Sequence, residues 1–151
     1  MSKVIATNRK AGRDYKVFES IECGIELKGS EVKSLRDSRI NLEDSFARIE
    51  KNEVILYNAH ISPYTQASYL NVEPKRPRKL LLHHNQINKL TGEVTQKGCT
   101  LIPLKAYFND RGFAKIELGL CKGKKLYDRR EDIKRRETDL EVRRALKSRR
   151  T

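Results

Sequence analysis

The sequence predicts a mainly β protein, a small antiparallel barrel with short helices that runs on into a basic C-terminal tail. Three observations predict it. Apolar residues alternate at period two in several stretches of strand length, and only one stretch has sustained helical spacing. The last thirty residues hold thirteen Lys/Arg against six Asp/Glu, with few aliphatics. Alternation marks half-buried strands. A tail of that composition buries too little apolar surface to offset its ordering entropy, so it should be disordered when free and fold only against a polyanion.

Residues 8–14 have room for a short helical turn, which Gly12 weakens. Residues 15–27 place Tyr15, Val17, Glu19, Ile21, Cys23, Ile25 and Leu27 on one side of a strand, with only Glu19 out of character. A second helical turn is expected at residues 31–36. Residues 46–61 read as two strands about a turn at Lys51 and Asn52. Pro63, Pro74 and Pro77 make residues 62–77 a surface loop. Residues 78–94 carry Leu80, Ile87, Leu90 and Val94 at helical spacing, with Gly98 just past the expected end. Residues 101–108 and 113–120 form another strand pair about Asn109, Asp110, Arg111 and Gly112. Some six strands and one packed helix suit a barrel, whose closure removes the sheet edges. The barrel domain is expected over residues 1–121 and the tail over residues 122–151.

A net charge of +13 and a pI near 9.8 call for an anionic partner. The body is basic too, with twenty Lys/Arg against fourteen Asp/Glu in residues 1–121. No apolar run approaches the length of a membrane span, and the basic tail holds one aromatic, Tyr127, so nucleic acid is favoured over a membrane. The N-terminus lacks the apolar core of a secretory signal, which implies a cytoplasmic protein. Cys23, Cys99 and Cys121 are widely spaced and form no CxxC pair, so reduced, half-buried strand cysteines are expected.

Several local patterns imitate chemical sites. Residues 119–125, GLCKGKK, have three residues between their glycines where a P-loop has four, and Lys125 where a hydroxyl must meet magnesium. The bland reading is a strand that leaves the barrel at Gly119 and a flexible exit at Gly123. His83 and His84 are adjacent, which on a helix turns them about 100° apart. No nucleophile–base arrangement or paired-carboxylate motif stands out, so no catalytic residue, cofactor or metal is expected.

In the tail, Glu131 with Arg135, Asp132 with Arg136 and Asp139 with Arg143 are acid-before-base pairs at helical spacing, each worth a few tenths of a kcal/mol. They permit a helix without enforcing one. Asp128 with Glu131 has the spacing of a capping box. Once helical, Arg136, Arg143, Arg144, Lys147 and Arg150 would form a basic stripe, while Ile133 and Leu140 lie opposite Val142 and Leu146. No apolar stripe remains to hold such a helix to the barrel.

Five blocks carry a resemblance: NRKAGRDY at residues 8–15, GIELKGSEVKSLR at 24–36, RPRKLLLHHNQI at 76–87, GCTLIPLKAYFNDRGFAKIELGLCKGKK at 98–125 and YDRR at 127–130. In order and spacing they resemble the SsrA-binding protein (small protein B) family over nearly the whole chain. The resemblance implies a closed six-stranded Greek-key, OB-like barrel and a trans-translation factor that is not an enzyme. It implies binding to the tRNA-like domain of transfer-messenger RNA and delivery to stalled ribosomes, at the decoding centre and message channel of 16S rRNA, by a monomer.

By the same resemblance Asn8, Arg9, Glu22, Leu81 and Lys115 face the RNA, joined by Lys122, Lys124 and Lys125. Arg9 stands where the family often has lysine. Chemically Arg9 and Lys115 suit phosphates, Asn8 and Glu22 suit bases or a 2′-hydroxyl, and Leu81 suits an unstacked base, although Leu81 also fits a core position in its leucine run. The resemblance assigns Tyr127, Asp128, Arg129, Arg130, Lys134, Arg135, Arg136, Arg143, Arg144 and Lys147 to a ribosome-binding tail that becomes helical in the empty message channel. Tyr127 stands where the family often has histidine. Composition alone also fits a ribosomal or ribosome-assembly protein, which would not prefer transfer-messenger RNA at matched salt, or an RNA-processing enzyme, which would alter the RNA it binds.

Overall fold

Val54, Leu56, Leu80, Leu101, Ala106, Ile116 and Leu118 come from four separate segments of alternating sequence, and all are buried in one core. A computed structural model describes residues 3–64, 72–123 and 140–144. The elements in order are β1 (Lys3–Thr7), α1 (Arg9–Asp14), β2 (Tyr15–Ile25), α2 (Gly29–Arg36), β3 (Ile40–Asn41), β4 (Phe46–Glu50) and β5 (Glu53–Tyr57). They continue with β6 (His60–Ile61), β7 (Arg78–Leu81), α3 (His84–Lys97), β8 (Thr100–Phe108) and β9 (Ala114–Gly123). Residues 140–144 are helical and exposed. Among the described residues no helix is long and apolar enough to cross a membrane.

The main sheet is antiparallel, in the order β1-β8-β4-β5-β7-β2-β9, and β9 also pairs with β8. One edge of β8 is shared, Leu101 pairing with Ala47 of β4 and Lys105 to Phe108 with β1. The small pair β3–β6 and helix α2 add Leu35, Ile40 and Ile61 to the core, and α3 adds Ile87 and Leu90.

The turns obey the expected chemistry. Lys51 and Asn52 take φ of 48° and 62°, the left-handed pair that matches the twist of a tight hairpin. Gly98 ends α3 at φ 67°, where a Cβ would be strained.

Three local expectations need correction. Residues 78–81 form strand β7, so the helix expected from residue 78 starts only at His84. Leu80 pairs with Val54 and Ile25 and is buried as a strand residue, its helical spacing to Ile87 being fortuitous. Gly119 is not the point of exit, because β9 runs on to Gly123. A Cβ there would stand 2.9 Å from Leu104 Cδ1, so glycine allows the Leu104 side chain to lie across the strand. The cysteines are fully buried, and burial pushes the Cys23 thiol up to about 12 and that of Cys121 up to about 11, which keeps both protonated and unreactive.

The strand β2 departs from simple alternation. Its register with β9 slips between Val17, opposite Cys121, and Glu19, opposite Leu120. Phe18 is the extra residue of a bulge, and it reverses the phase. Ile21, Cys23 and Ile25 therefore face the main core, while Tyr15 packs on the other side with Ala11, Ile102, Cys121 and Leu104 beneath α1. Glu19 reaches Lys89 of α3 at 2.6 Å, an exposed pair worth at most about 1 kcal/mol.

Candidate nucleic-acid interface

Residues directly opposite in an antiparallel ladder point to the same face, so the registers define rows across the outside of the sheet. One row runs Leu81, Gly24, Lys115, Tyr107, Val4 across β7, β2, β9, β8 and β1. The neighbouring row, two residues along β2, β9 and β8 and three along β1 where the register slips, runs Glu22, Glu117, Lys105, Thr7. Thr7 is followed by Asn8 and Arg9 at the start of α1, so Glu22, Leu81 and Lys115 share one face and Asn8 and Arg9 adjoin the end of its second row in sequence.

Their individual settings differ. Leu81 is 49% exposed between the more buried Leu80 and Leu82, and the core reading for it fails because β7 alternates there. It lies over Gly24, where a Cβ would stand 3.1 Å from Leu81 Cβ. Lys115 is partly buried in its row and Arg9 is exposed. Glu22 accepts a hydrogen bond from the Tyr107 hydroxyl. Burial, that hydrogen bond and the Glu22 charge raise the Tyr107 phenol above its ordinary value, so it stays protonated and donating. Lys105 lies 3.8 Å from Glu117. Glu22, Tyr107, Lys105 and Glu117, with Val4, Asn109 and Asp110, line an open groove of about 910 Å³.

Asn8 is the exception among the five. It is 5% exposed, its amide donates to the carbonyls of Leu42 (3.1 Å) and Pro103 (2.9 Å), and its Oδ1 accepts from the Ala11 amide (3.1 Å). Both amide protons are used inside the protein, where the side chain caps α1 and ties that helix to the sheet. Asn8→Ala is expected to lower stability by about 2 kcal/mol, from a lost cap and the lost hydrogen bonds to the carbonyls of Leu42 and Pro103. Urea denaturation measures it, and a loss under about 0.5 kcal/mol would contradict the assignment.

Lys122 also departs from the common face. Its parity in β9 is that of Leu120, and its Nζ lies 5.8 Å from the Phe18 ring at the sheet's far rim. Lys124, Lys125, Tyr127, Asp128, Arg129, Arg130, Lys134, Arg135, Arg136 and Lys147 lie outside the described residues. Arg143 and Arg144 belong to the exposed helical turn at residues 140–144.

Sequence reading missed Tyr107, Lys105 and Glu117. The signal was available: a hairpin about residues 109–112 sets Tyr107 opposite Lys115 and Lys105 opposite Glu117. It also missed the buried hub behind the face. Glu31, 3% exposed, accepts from Arg78 at 2.6 Å, from Arg76 at 2.5 Å and from the Lys28 amide at 2.8 Å. Arg78, 1% exposed, donates further to the carbonyls of Ala59 (2.7 Å) and Pro74 (2.9 Å). This hub fixes the N-terminus of α2 against β7, the strand that ends at Leu81.

A strongly basic chain with an outward sheet face of carboxylates, a phenol, lysines and an exposed leucine is a small β-sheet nucleic-acid-binding protein. The comparisons narrow this. The chain belongs to the SmpB protein family, whose model matches residues 5–148. It is 61% identical over 145 residues to the SsrA-binding protein of Caldicellulosiruptor bescii, covering 96% of this chain and 91% of that protein. With the SsrA-binding protein of Carboxydothermus hydrogenoformans it shares 57% over 149 residues, 99% of each. A chain in a solved structure described as "tmRNA-SmpB: a journey to the center of the bacterial ribosome" superposes with a TM-score of 0.67 at 53% identity, over 78% of this chain and 82% of that one.

Proposed function

We propose that this protein binds the tRNA-like domain of transfer-messenger RNA and delivers it to stalled ribosomes for trans-translation, ribosome rescue and peptide tagging. The observation that carries this is similarity along nearly the full length to SsrA-binding proteins, and to a chain described together with transfer-messenger RNA in the ribosome. The six-strand circuit β8-β4-β5-β7-β2-β9 is the closed Greek-key, OB-like barrel, and the chain after Gly123, where β9 ends, is the tail, helical on the ribosome. The protein works by binding as a monomer in the cytoplasm and performs no catalytic step.

The chemistry of the outer face divides the work. Glu22 and Glu117 repel phosphates, so they accept from base amino groups or ribose 2′-hydroxyls, with Tyr107 fixing the Glu22 carboxylate. Arg9 and Lys115 take phosphates, and Arg9 does so with a forked guanidinium. Leu81 lies under an unstacked base, and Asn8 positions Arg9. Lys122, Lys124 and Lys125 add charge where the sheet ends. Tyr127, Asp128, Arg129 and Arg130 meet the decoding centre, and Lys134, Arg135, Arg136, Arg143, Arg144 and Lys147 follow the phosphates of the message channel.

Glu22→Ala tests the face. Affinity for the isolated tRNA-like domain is expected to fall about tenfold, as for a lost charge-assisted hydrogen bond, while stability changes by less than about 1 kcal/mol. Filter binding at fixed salt, beside a urea titration, separates the two. Unchanged affinity would remove Glu22 from the interface, and equal affinity of the parent protein for ribosomal RNA fragments would overturn the substrate.

A further inference from the structure

The rim of the sheet opposite the Glu22 face carries an arrangement of which the proposed contacts use only Lys122. Phe18, the extra residue in the β2 bulge, is 50% exposed. Lys16 and Lys122 are cross-strand partners, and their ammonium groups lie 5.7 Å and 5.8 Å from the centre of its ring. The ring borders an open groove of about 320 Å³ between β2, the end of β9 and α3. The two carboxylates in that groove, Glu19 and Glu93, are paired with Lys89 at 2.6 Å and Lys97 at 3.1 Å.

We propose that Phe18, Lys16 and Lys122 form a second nucleotide platform, which takes an unpaired base of RNA on the ring and its flanking phosphates on the two lysines. This rests on the RNA-binding function proposed above and adds a contact on another face. Three points support it. A bulge re-aims one side chain without disturbing its neighbours and recurs beside functional sites. A phenylalanine left in water has no folding benefit, whereas an aromatic ring offers any base a stacking surface. The lysines meet the ring through weak exposed cation–π contacts, and their flexible stems let them swing to phosphates when a base arrives. The strand that carries Lys122 ends one residue later and leads into the basic tail, so a base held here would lie beside the point where the tail begins.

The chain contains no tryptophan, so F18W is both a conservative exchange and a single fluorescent reporter. Full-length F18W is titrated with the isolated tRNA-like domain of transfer-messenger RNA and, separately, with small ribosomal subunits. Quenching that saturates with binding is expected for one of them, and which one identifies the source of the nucleotide. Affinity for that RNA should fall about 5- to 100-fold in F18A and recover in F18W. Lys16→Ala and Lys122→Ala should each reduce the slope of log affinity against log salt by about 0.7. An unquenched F18W, with F18A binding both partners as the parent does, would overturn the platform and leave the main function standing. A parent protein that binds neither would overturn that function itself.

Discussion

Arg78→Met is expected to destabilise the protein by about 3–5 kcal/mol, the largest loss foreseen for one substitution. Removing one member of a buried ion pair leaves the other charge without compensation. Glu31 would keep Arg76 and the Lys28 amide, but the Ala59 carbonyl would lose its Arg78 donor and the Pro74 carbonyl would keep only the Ile61 amide. Replacing both partners, as Glu31→Gln with Arg78→Met, should recover part of the loss because no charge then remains buried. Urea midpoints for the two single variants and the double variant give the coupling, and simple additivity would show that the hub is not a unit.

The same hub sets an acid limit. Burial alone would raise the Glu31 carboxyl, but hydrogen bonds from Arg76, the Lys28 amide and Arg78 outweigh it and hold the group below the usual glutamate range. Its stabilisation is therefore complete above the unfolded value of about 4.3 and is lost as pH falls through the lower folded value. In Glu31→Gln that part of the acid transition should vanish. An acid limb identical in both proteins would assign it to other carboxylates.

A chain that stops after Gly123 should bind the tRNA-like domain within about tenfold of the full protein and support no peptide tagging. Gly123 is the last residue of β9, so the truncation removes no strand and no member of the outer rows. It does remove twelve of the thirteen tail Lys/Arg counted from residue 122, and with them long-range attraction that any RNA would feel. Tagging differs in kind, because entering an RNA-walled channel requires a cationic segment that orders against phosphates. Tagging in a reconstituted system with stalled ribosomes is the measurement. Persistent tagging would show that the barrel alone does the work.

Much of this was legible in the sequence, and the failures have definite physical causes. The hairpins at Lys51–Asn52 and residues 109–112, the turn after Asn8 and the αL glycine at position 98 followed from local backbone chemistry. The strand at Arg78–Leu81 was hidden because Leu80 fits two periods at once, and only its pairing with Val54 and Ile25 decides between them. The phase reversal at Phe18 was hidden because a bulge is a relation between two strands. At the candidate site, Glu22 read correctly as outward-facing from its neighbour Cys23, whereas Asn8 looked like a free polar group. Its partners, Leu42 and Pro103, are far along the chain, and nothing near residue 8 announces them.

The extra position in the β2–β9 ladder is one that the alternation of its neighbours does not need. Deleting Phe18 would join Val17 and Glu19 in an unbroken ladder opposite Cys121 and Leu120, so Tyr15 would keep its side and stay beneath α1. Exchanging that residue for another leaves the inside and outside of the strand as they are. Over evolutionary drift the fold should accept at this position a change of letter and its loss alike.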